Sequence, residues 1–151
     1  MEIYLVQHGE AKPEQEDPAR PLTNQGRKEV ERIARWLSRT GLKITEIRHS
    51  PKLRAKQTAE IFAKELGTAR ISEMQGVAPN DDPKAAADWL NSIAEPVMLV
   101  GHLPHLGRLA SLLLTGSPDA DMIEFRMGGA VCLSKEDGKW RVRWILRPEI
   151  V

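Results

Sequence analysis

The stretch IYLVQHGEA, residues 3–11, joins an apolar run to a histidine, a glycine and a carboxylate. Residues 2–7 are almost continuously apolar, which predicts a strand that is covered on both faces of its sheet. His8 follows at the end of this strand, and Gly9 beside it permits close approach of the backbone. In open α/β sheets ligands bind beyond the carboxyl ends of the strands. His8 therefore stands where a functional site is expected.

The rest of the chain alternates strands and helices, and ends with two strands. This order predicts an α/β fold, a three-layer sandwich with a mostly parallel central sheet, helices on both faces and an antiparallel C-terminal edge hairpin. Asp137-Gly138 is the turn signal of that hairpin. Thr23 or Asn24 and, further on, Ser50 before Pro51 are predicted helix caps. The later predicted strands are 43–49, 69–75, 96–102, 124–134 and 139–147, and the predicted helices are 24–40, 51–66, 84–94 and 104–116.

Length and composition indicate a single domain, 1–151, that can bury a core. The 22 basic residues are balanced by 21 acidic ones. This net charge does not indicate a nucleic-acid or membrane partner, and we expect neither. Cys132 is the only cysteine, which excludes an internal disulfide and a cysteine zinc cluster. Since neither a signal-peptide pattern nor a long apolar span occurs, we expect a cytoplasmic protein, and we expect a monomer.

Three polar segments follow predicted strands and are expected to meet at one edge of the sheet. His8 ends the first strand, and His102 ends a later apolar strand. Ser50 follows the second strand, with Arg54 one turn into the next helix. Two histidines, an arginine and two helix N-termini favour an oxyanion site. The alternative is a metal site that uses His102 and His105, but zinc needs three or four ligands and no H-x-x-x-H or C-x-x-C spacing occurs. We therefore expect no metal and no cofactor.

Four segments follow one another along most of the chain: IYLVQHGEA, RPLTNQG, HSPKLRAKQTAEIF and MLVGHLPHLGRLAS. In order and spacing they resemble the histidine phosphatase (phosphoglycerate mutase-like) superfamily, and specifically its small SixA-type phosphohistidine phosphatases. No long insertion covers the sheet, which also resembles the SixA type. The resemblance implies a metal-independent phosphatase.

The resemblance also implies roles for single residues. His8 would attack phosphorus and carry the phosphoryl group in a covalent intermediate that water then hydrolyses. His102 would stabilise the charge of the transferring phosphoryl group. Arg54 would hold phosphate oxygens, in the best case through two parallel hydrogen bonds, and Arg20 would be a further contact to the oxyanion.

Gln7 departs from the Arg-His-Gly signature of the family, whereas Gly9 keeps it. Both residues are assigned to substrate binding. A glutamine donates hydrogen bonds but carries no charge. Three outcomes stay open: an enzyme with a weaker pocket, an enzyme with a changed substrate, and a phosphate-binding protein that turns over poorly.

The proton donor for the leaving group is a second open point. Larger members of the family place a carboxylate there, and the segment EMQGVAPNDD offers Glu73, Asp81 and Asp82 without a match in position. A leaving imidazole can be protonated by solvent as the P–N bond breaks, which favours phosphohistidine in a protein as the substrate. Hydrolysis of small phosphate monoesters is the alternative activity, and a non-catalytic phospho-binding domain is the alternative from another class.

Overall fold

The computed structural model describes residues 1–68 and 70–151, and these form one mixed sheet with helices on both faces. The strands are β1 Glu2–Gln7, β2 Glu46–His49, β3 Ile71–Glu73, β4 Val97–Gly101, β5 Ala130–Glu136 and β6 Lys139–Leu146. The helices are α1 Asn24–Ser38, α2 Leu53–Leu66, α3 Lys84–Ser92 and α4 His105–Thr115, followed by a 3₁₀ turn at Pro148–Ile150. The strands lie in the order β3-β2-β4-β1-β5-β6; the first four are parallel, and β5 is antiparallel to both of its neighbours. The predicted fold class is confirmed.

Side chains that alternate along β1 divide the core into two layers. Tyr4 and Val6 pack in one layer with α1 and α2, whereas Ile3 and Leu5 pack in the other with α3 and α4. Ile3, Leu5 and Val6 are fully buried, and burial of each such side chain contributes about 1.5–3 kcal/mol. Because both faces are covered, the polar residues that follow β1 emerge only at the carboxyl edge of the sheet.

Local sequence signals at three element boundaries are confirmed. The Thr23 hydroxyl oxygen accepts a hydrogen bond from the Gly26 amide at 2.9 Å and caps α1. Gly67 ends α2 in the left-handed conformation, with φ 69°. Asp137 and Gly138 both have positive φ, 51° and 74°, as a two-residue hairpin turn requires.

The start of α2 was predicted wrongly. The helix begins at Leu53 with Lys52 as its N-cap, and not at Pro51 after a Ser50 cap. The Ser50 hydroxyl accepts from the Lys52 amide at 3.2 Å, but it also lies 2.7 Å from a ring nitrogen of His102. The first backbone bonds of α2 run from Ala55 and Lys56 to the Lys52 carbonyl, each at 3.0 Å, so the helix starts after Lys52.

The strand predicted over 124–134 is also wrong in its first half, because β5 begins only at Ala130. Gly128 has a φ of 76°, and a Cβ at Gly129 would lie 2.9 Å from the carbonyl oxygen of Leu146. The two glycines therefore form a tight turn that leads into the strand. Ala69, at the start of the strand predicted over 69–75, lies outside the described residues, and β3 is shorter than that range.

Within the described ranges, no helix has the length and apolar character needed to cross a membrane.

Candidate active site

The parallel pairing of β1 and β4 brings two strand-end histidines together. Gln7 pairs with Gly101 at the last position of the two strands. The His8 amide then donates a hydrogen bond to the Gly101 carbonyl at 3.0 Å. The rings of His8 and His102 follow, with their centroids 5.1 Å apart and their planes inclined by 55°.

The His8 ring is held in one tautomer. Its Nδ1 atom lies 2.7 Å from the Gly9 carbonyl oxygen. A carbonyl oxygen only accepts hydrogen bonds, so Nδ1 carries the hydrogen and Nε2 keeps its lone pair. A neutral imidazole in this tautomer presents Nε2 as a nucleophile.

Gly9 positions His8 through contacts with both neighbouring helices. The Gly9 amide donates to the Thr58 hydroxyl oxygen at 3.0 Å, and that hydroxyl donates to the Arg54 carbonyl at 2.8 Å. A Cβ at residue 9 would lie 2.8 Å from Cγ2 of Val30, so only glycine fits against α1. Gly9 was predicted to bind substrate, and this stays a prediction; its own N–H is engaged by Thr58, and its contacts favour the orientation of His8. Thr58 belongs to the segment HSPKLRAKQTAEIF, but it was not predicted to contact the residues around His8.

Ser50 connects the start of α2 to His102. The Ser50 amide donates to the Val100 carbonyl at 3.1 Å, and its hydroxyl lies 2.7 Å from Nε2 of His102. The His102 side chain is almost completely buried, and its Nδ1 has no hydrogen-bond partner within the described residues. A hydroxyl both donates and accepts, so Ser50 can hold the His102 ring in either tautomer. From the sequence, Ser50 was predicted as a helix cap at the edge of the sheet where the site was expected, and its contact with His102 was not predicted.

Arg54 and Arg20 supply positive charge close to His8. The Nε atom of Arg54 is buried, and no described residue accepts a hydrogen bond from it. Arg20 has a φ of 51° and donates from Nε to the Lys12 carbonyl at 3.0 Å, which fixes its guanidinium plane. Two guanidinium groups beside two neutral imidazoles form a site suited to an oxyanion.

Burial and positive charge keep both histidines neutral at neutral pH. Burial lowers the pKa of His8 to about 4; the hydrogen bond to Gly9 opposes this shift, and the charges of Arg54 and Arg20 add to it. The pKa of His102 is lowered to about 3, first by burial and then by His8 and Arg54. Burial, followed by the charge of Arg20, also lowers the pKa of Arg54. A bound phosphate would oppose all of these shifts, because an anion stabilises the charged forms.

Gln7 stands at the end of β1, immediately before His8. Its backbone carbonyl accepts a hydrogen bond from Gly128 at 3.0 Å. Its side-chain Oε1 is buried and has no donor among the described residues. Rotation of the amide exchanges oxygen and NH₂, so Gln7 can offer an acceptor or two donors but no charge.

The acidic residues Glu73, Asp81 and Asp82, considered above as proton donors, form no hydrogen bond or ion pair with the ring of His8. Burial lowers the pKa of His105, and the charges of Asp81 and Asp82 oppose this shift, so both carboxylates lie near the start of α4. Asp81 and Asp82 each accept a hydrogen bond from a backbone amide at 2.9 Å. Glu73 is exposed at the end of β3, and the Glu10 carboxylate accepts from the Thr23 hydroxyl at 2.7 Å. No carboxylate of the described chain forms a hydrogen bond or an ion pair with the ring of His8.

The two remaining histidines do not join the cluster by hydrogen bonds. His49, at the end of β2, donates from Nδ1 to the Ser50 carbonyl at 2.8 Å, the same kind of bond that His8 makes with Gly9. His105, weighed above as a metal ligand, is completely buried in the first turn of α4. Across residues 1–68 and 70–151, no group of three or more His, Cys, Asp or Glu side chains could hold a metal ion.

Three comparisons with known proteins agree with this geometry. The family described as the histidine phosphatase superfamily (branch 1) matches residues 3–78. Phosphohistidine phosphatase SixA of Escherichia coli K12 is 30% identical over an alignment of 122 residues that covers 77% of this chain and 76% of SixA. An uncharacterized protein of Picosynechococcus sp. is 40% identical over an alignment of 124 residues that covers 77% of this chain and 74% of its own. The structure of the protein histidine phosphatase SixA complexed with tungstate matches with a TM-score of 0.87 and 26% identity, over 99% of both chains. The chain therefore belongs to the histidine phosphatase superfamily and is a homologue of the SixA phosphatases.

Proposed function

We propose that the protein removes phosphoryl groups from phosphohistidine in proteins, without a metal ion, through a covalent intermediate on His8. The observation that carries this proposal is the hydrogen bond from His8 Nδ1 to the Gly9 carbonyl, because it leaves Nε2 free to attack. The low pKa of His8 keeps that atom unprotonated at neutral pH. The name of the Escherichia coli relative, a phosphohistidine phosphatase, supports the choice of substrate.

Two displacements at phosphorus complete the proposed reaction. In the first, Nε2 of His8 bonds to phosphorus while the P–N bond of the substrate breaks, and the leaving imidazole takes up a proton from solvent. In the second, water attacks phosphorus, the bond to Nε2 breaks, and inorganic phosphate leaves. Arg54, Arg20 and His102 stabilise the negative charge on the phosphoryl oxygens in both steps. These protein groups supply the charge compensation that a metal ion supplies in other phosphatases.

The surroundings of His8 favour a phosphoramidate over an ester. The alkoxide that leaves an alkyl phosphate is a strong base, and its departure needs an acid close by. The carboxylates of Asp81 and Asp82 accept hydrogen bonds at 2.9 Å from the backbone amides of Ala78 and of Lys84, the first residue of α3. No carboxylate of the described chain is bonded to the ring of His8. A leaving imidazole accepts a proton from water, so it can depart without such an acid.

Gln7 is the observation that favours a second candidate, a phospho-binding domain with little turnover. An amide in place of a guanidinium removes one charge from the pocket. Loss of one stabilising contact to a developing oxyanion costs about 10²–10³ in rate, by analogy with other enzymes. The remaining charges of Arg54 and Arg20 would then bind phosphate without accelerating its transfer.

Steady-state hydrolysis in the presence of EDTA distinguishes the two candidates. The substrates are a protein phosphorylated on histidine and p-nitrophenyl phosphate, each at several concentrations. We expect turnover of both with EDTA present, and a higher kcat/KM for the phosphohistidine protein. A folded protein that binds inorganic phosphate but releases none from either substrate would support the binding domain instead.

Replacing Gln7 by arginine is expected to raise kcat/KM on phosphohistidine by about tenfold, because it adds a positive charge beside the reacting phosphoryl group. Gln7→Met is the matched control, since it keeps a similar volume and removes the hydrogen bonds; it should lower kcat/KM. A fall in activity for Gln7→Arg would show that the amide is adapted to its substrate. Unchanged rates in both variants would contradict any contact between residue 7 and the phosphoryl group.

The ring of His8 is expected to titrate near pH 4 in the free protein, well below the ordinary histidine value. Its folded pKa is depressed, so the neutral, nucleophilic form persists from neutral pH down to that value and is lost below it. Side-chain NMR spectra of ¹³C-labelled protein, recorded through this range and assigned with a His8 variant, give the measurement. Addition of inorganic phosphate should move the titration upward, because the anion stabilises the imidazolium. A His8 titration near 6.5 without phosphate would contradict the account.

A further inference from the structure

A groove of about 500 Å³ is lined in part by Leu103 and Pro104, the two residues that follow His102 in the chain. Leu103 is 40% exposed. Ile123 and Phe125 also contribute to its apolar lining. An apolar surface that starts at the residue after His102 in the chain suits the part of a substrate that is attached to the phosphoryl group.

The rim of this groove carries mostly negative charge. Asp119, Asp121 and Glu124 line it, against the single positive charge of Arg108. The side chains of Asp119 and Glu124 are 81% and 85% exposed, and their nearest arginine nitrogens are 4.0 and 3.8 Å away. Such long, exposed pairs are weak, so both carboxylates can still attract a ligand. Asp121 forms no ion pair with any described residue.

The charge of the groove is opposite to that of the phosphate site. Arg54 and Arg20 make the site around His8 positive, and Lys52 adds its charge near His102. A ligand that matches both regions carries its negative phosphoryl group next to apolar and basic groups. A free phosphate, or a small anionic ester, has nothing to place in the groove.

Resting on the proposed function, we propose that this groove binds the segment of the substrate protein that flanks the phosphohistidine, and that it selects segments with apolar and basic side chains. The apolar residue of the segment packs between Leu103 and Ile123. Its basic residues lie along the rim formed by Asp119, Asp121 and Glu124. The groove thereby distinguishes phosphoproteins that share the same phosphorylated side chain.

Binding of two short peptides by fluorescence anisotropy tests the proposal. Both contain a stable phosphonate analogue of phosphohistidine and a leucine; one adds two arginines and the other two glutamates. We expect the arginine peptide to bind about tenfold more tightly, a preference that high salt should reduce. Replacing its leucine by serine should weaken binding.

Variants that replace acidic residues of the rim by lysine test whether the rim attracts the arginine peptide. Asp119→Lys/Glu124→Lys should abolish the preference for the arginine peptide. The control Glu95→Lys/Glu136→Lys makes the same change in net charge at exposed positions. Glu95 precedes β4 and Glu136 ends the antiparallel β5, so both lie at the amino end of the parallel strands, away from His8. This control should keep the preference. Both double variants should bind inorganic phosphate as the unchanged protein does.

Equal binding of the two peptides would overturn the groove proposal, even if the protein hydrolyses phosphohistidine. A preserved preference in the absence of turnover would leave the groove standing and count against the proposed activity. A dimer in solution that Asp119→Lys/Glu124→Lys dissociates would show that the groove holds a second copy of the chain, which would also overturn the proposal.

Discussion

Replacing His8 by asparagine should abolish phosphatase turnover, with a loss of at least about 10⁴-fold in kcat on a phosphohistidine protein. The side-chain amide of asparagine can still donate to the Gly9 carbonyl, the bond that His8 Nδ1 makes at 2.7 Å. It has no atom equivalent to Nε2, so no covalent intermediate can form. The variant therefore removes the nucleophile while it keeps the local hydrogen bond.

His49→Asn is the matched control for this experiment. His49 also lies buried at the end of a parallel strand, and its Nδ1 donates to the next carbonyl at 2.8 Å. It should retain turnover to within about threefold, because nothing in the proposed reaction uses its Nε2. Thermal unfolding and phosphate binding should be preserved in His8→Asn. Turnover that survives in His8→Asn would show that another group attacks phosphorus.

Replacing Arg54 by alanine should lower kcat/KM by about 10²–10³-fold, because it removes a charge that stabilises the phosphoryl oxygens in the transition state. The Arg54 Nε atom is buried without an acceptor among the described residues, so a bound phosphoryl oxygen can take that position. Arg54→Lys should recover only part of the loss, since an ammonium keeps the charge but not the planar fork.

The same substitution predicts a change in titration. The charge of Arg54 lowers the pKa of His8 and His102, so Arg54→Ala should raise both. Lys56→Ala is the control, because Lys56 is exposed on the same helix and should leave rates and titrations unchanged. Full activity in Arg54→Ala, or a His8 titration that does not move, would contradict the role assigned to Arg54.

Much of the fold could be predicted because its signals are local. Residues 3–6 and 97–101 are apolar runs without a polar residue, and both lie in buried strands. Asp137-Gly138 specifies a hairpin turn by its own backbone preference. The wrong boundaries lie where distant segments come into contact. The Ser50 hydroxyl contacts His102 just beyond β4, and the backbone of Gly129 packs closely against Leu146 on β6.

The residues of the candidate site also fall into those that local sequence signals predict and those that depend on contacts between distant segments. His8 and His102 could be predicted because each ends a predicted strand, and Arg54 because it lies one turn into the predicted helix that follows one. The family resemblance then implied a role for each of the three. Thr58 could not be predicted, since its contacts with Gly9 and Arg54 exist only when α2 packs beside the turn after β1. The contact of Ser50 with His102 likewise depends on the placement of β2 beside β4. Serine and threonine hydroxyls carry no pattern that reveals such long-range partners.

Rapid quenching of the protein with ³²P-labelled phosphohistidine protein, followed by peptide mapping under alkaline conditions, tests the central claim most directly. Phosphohistidine is stable to alkali and lost in acid, so the chemistry of the label identifies its attachment. The account predicts a transient, alkali-stable label on the peptide that contains His8, absent from His8→Asn and present in His49→Asn. Turnover by the unchanged protein with no label at His8, or with a label on another residue, would contradict the account.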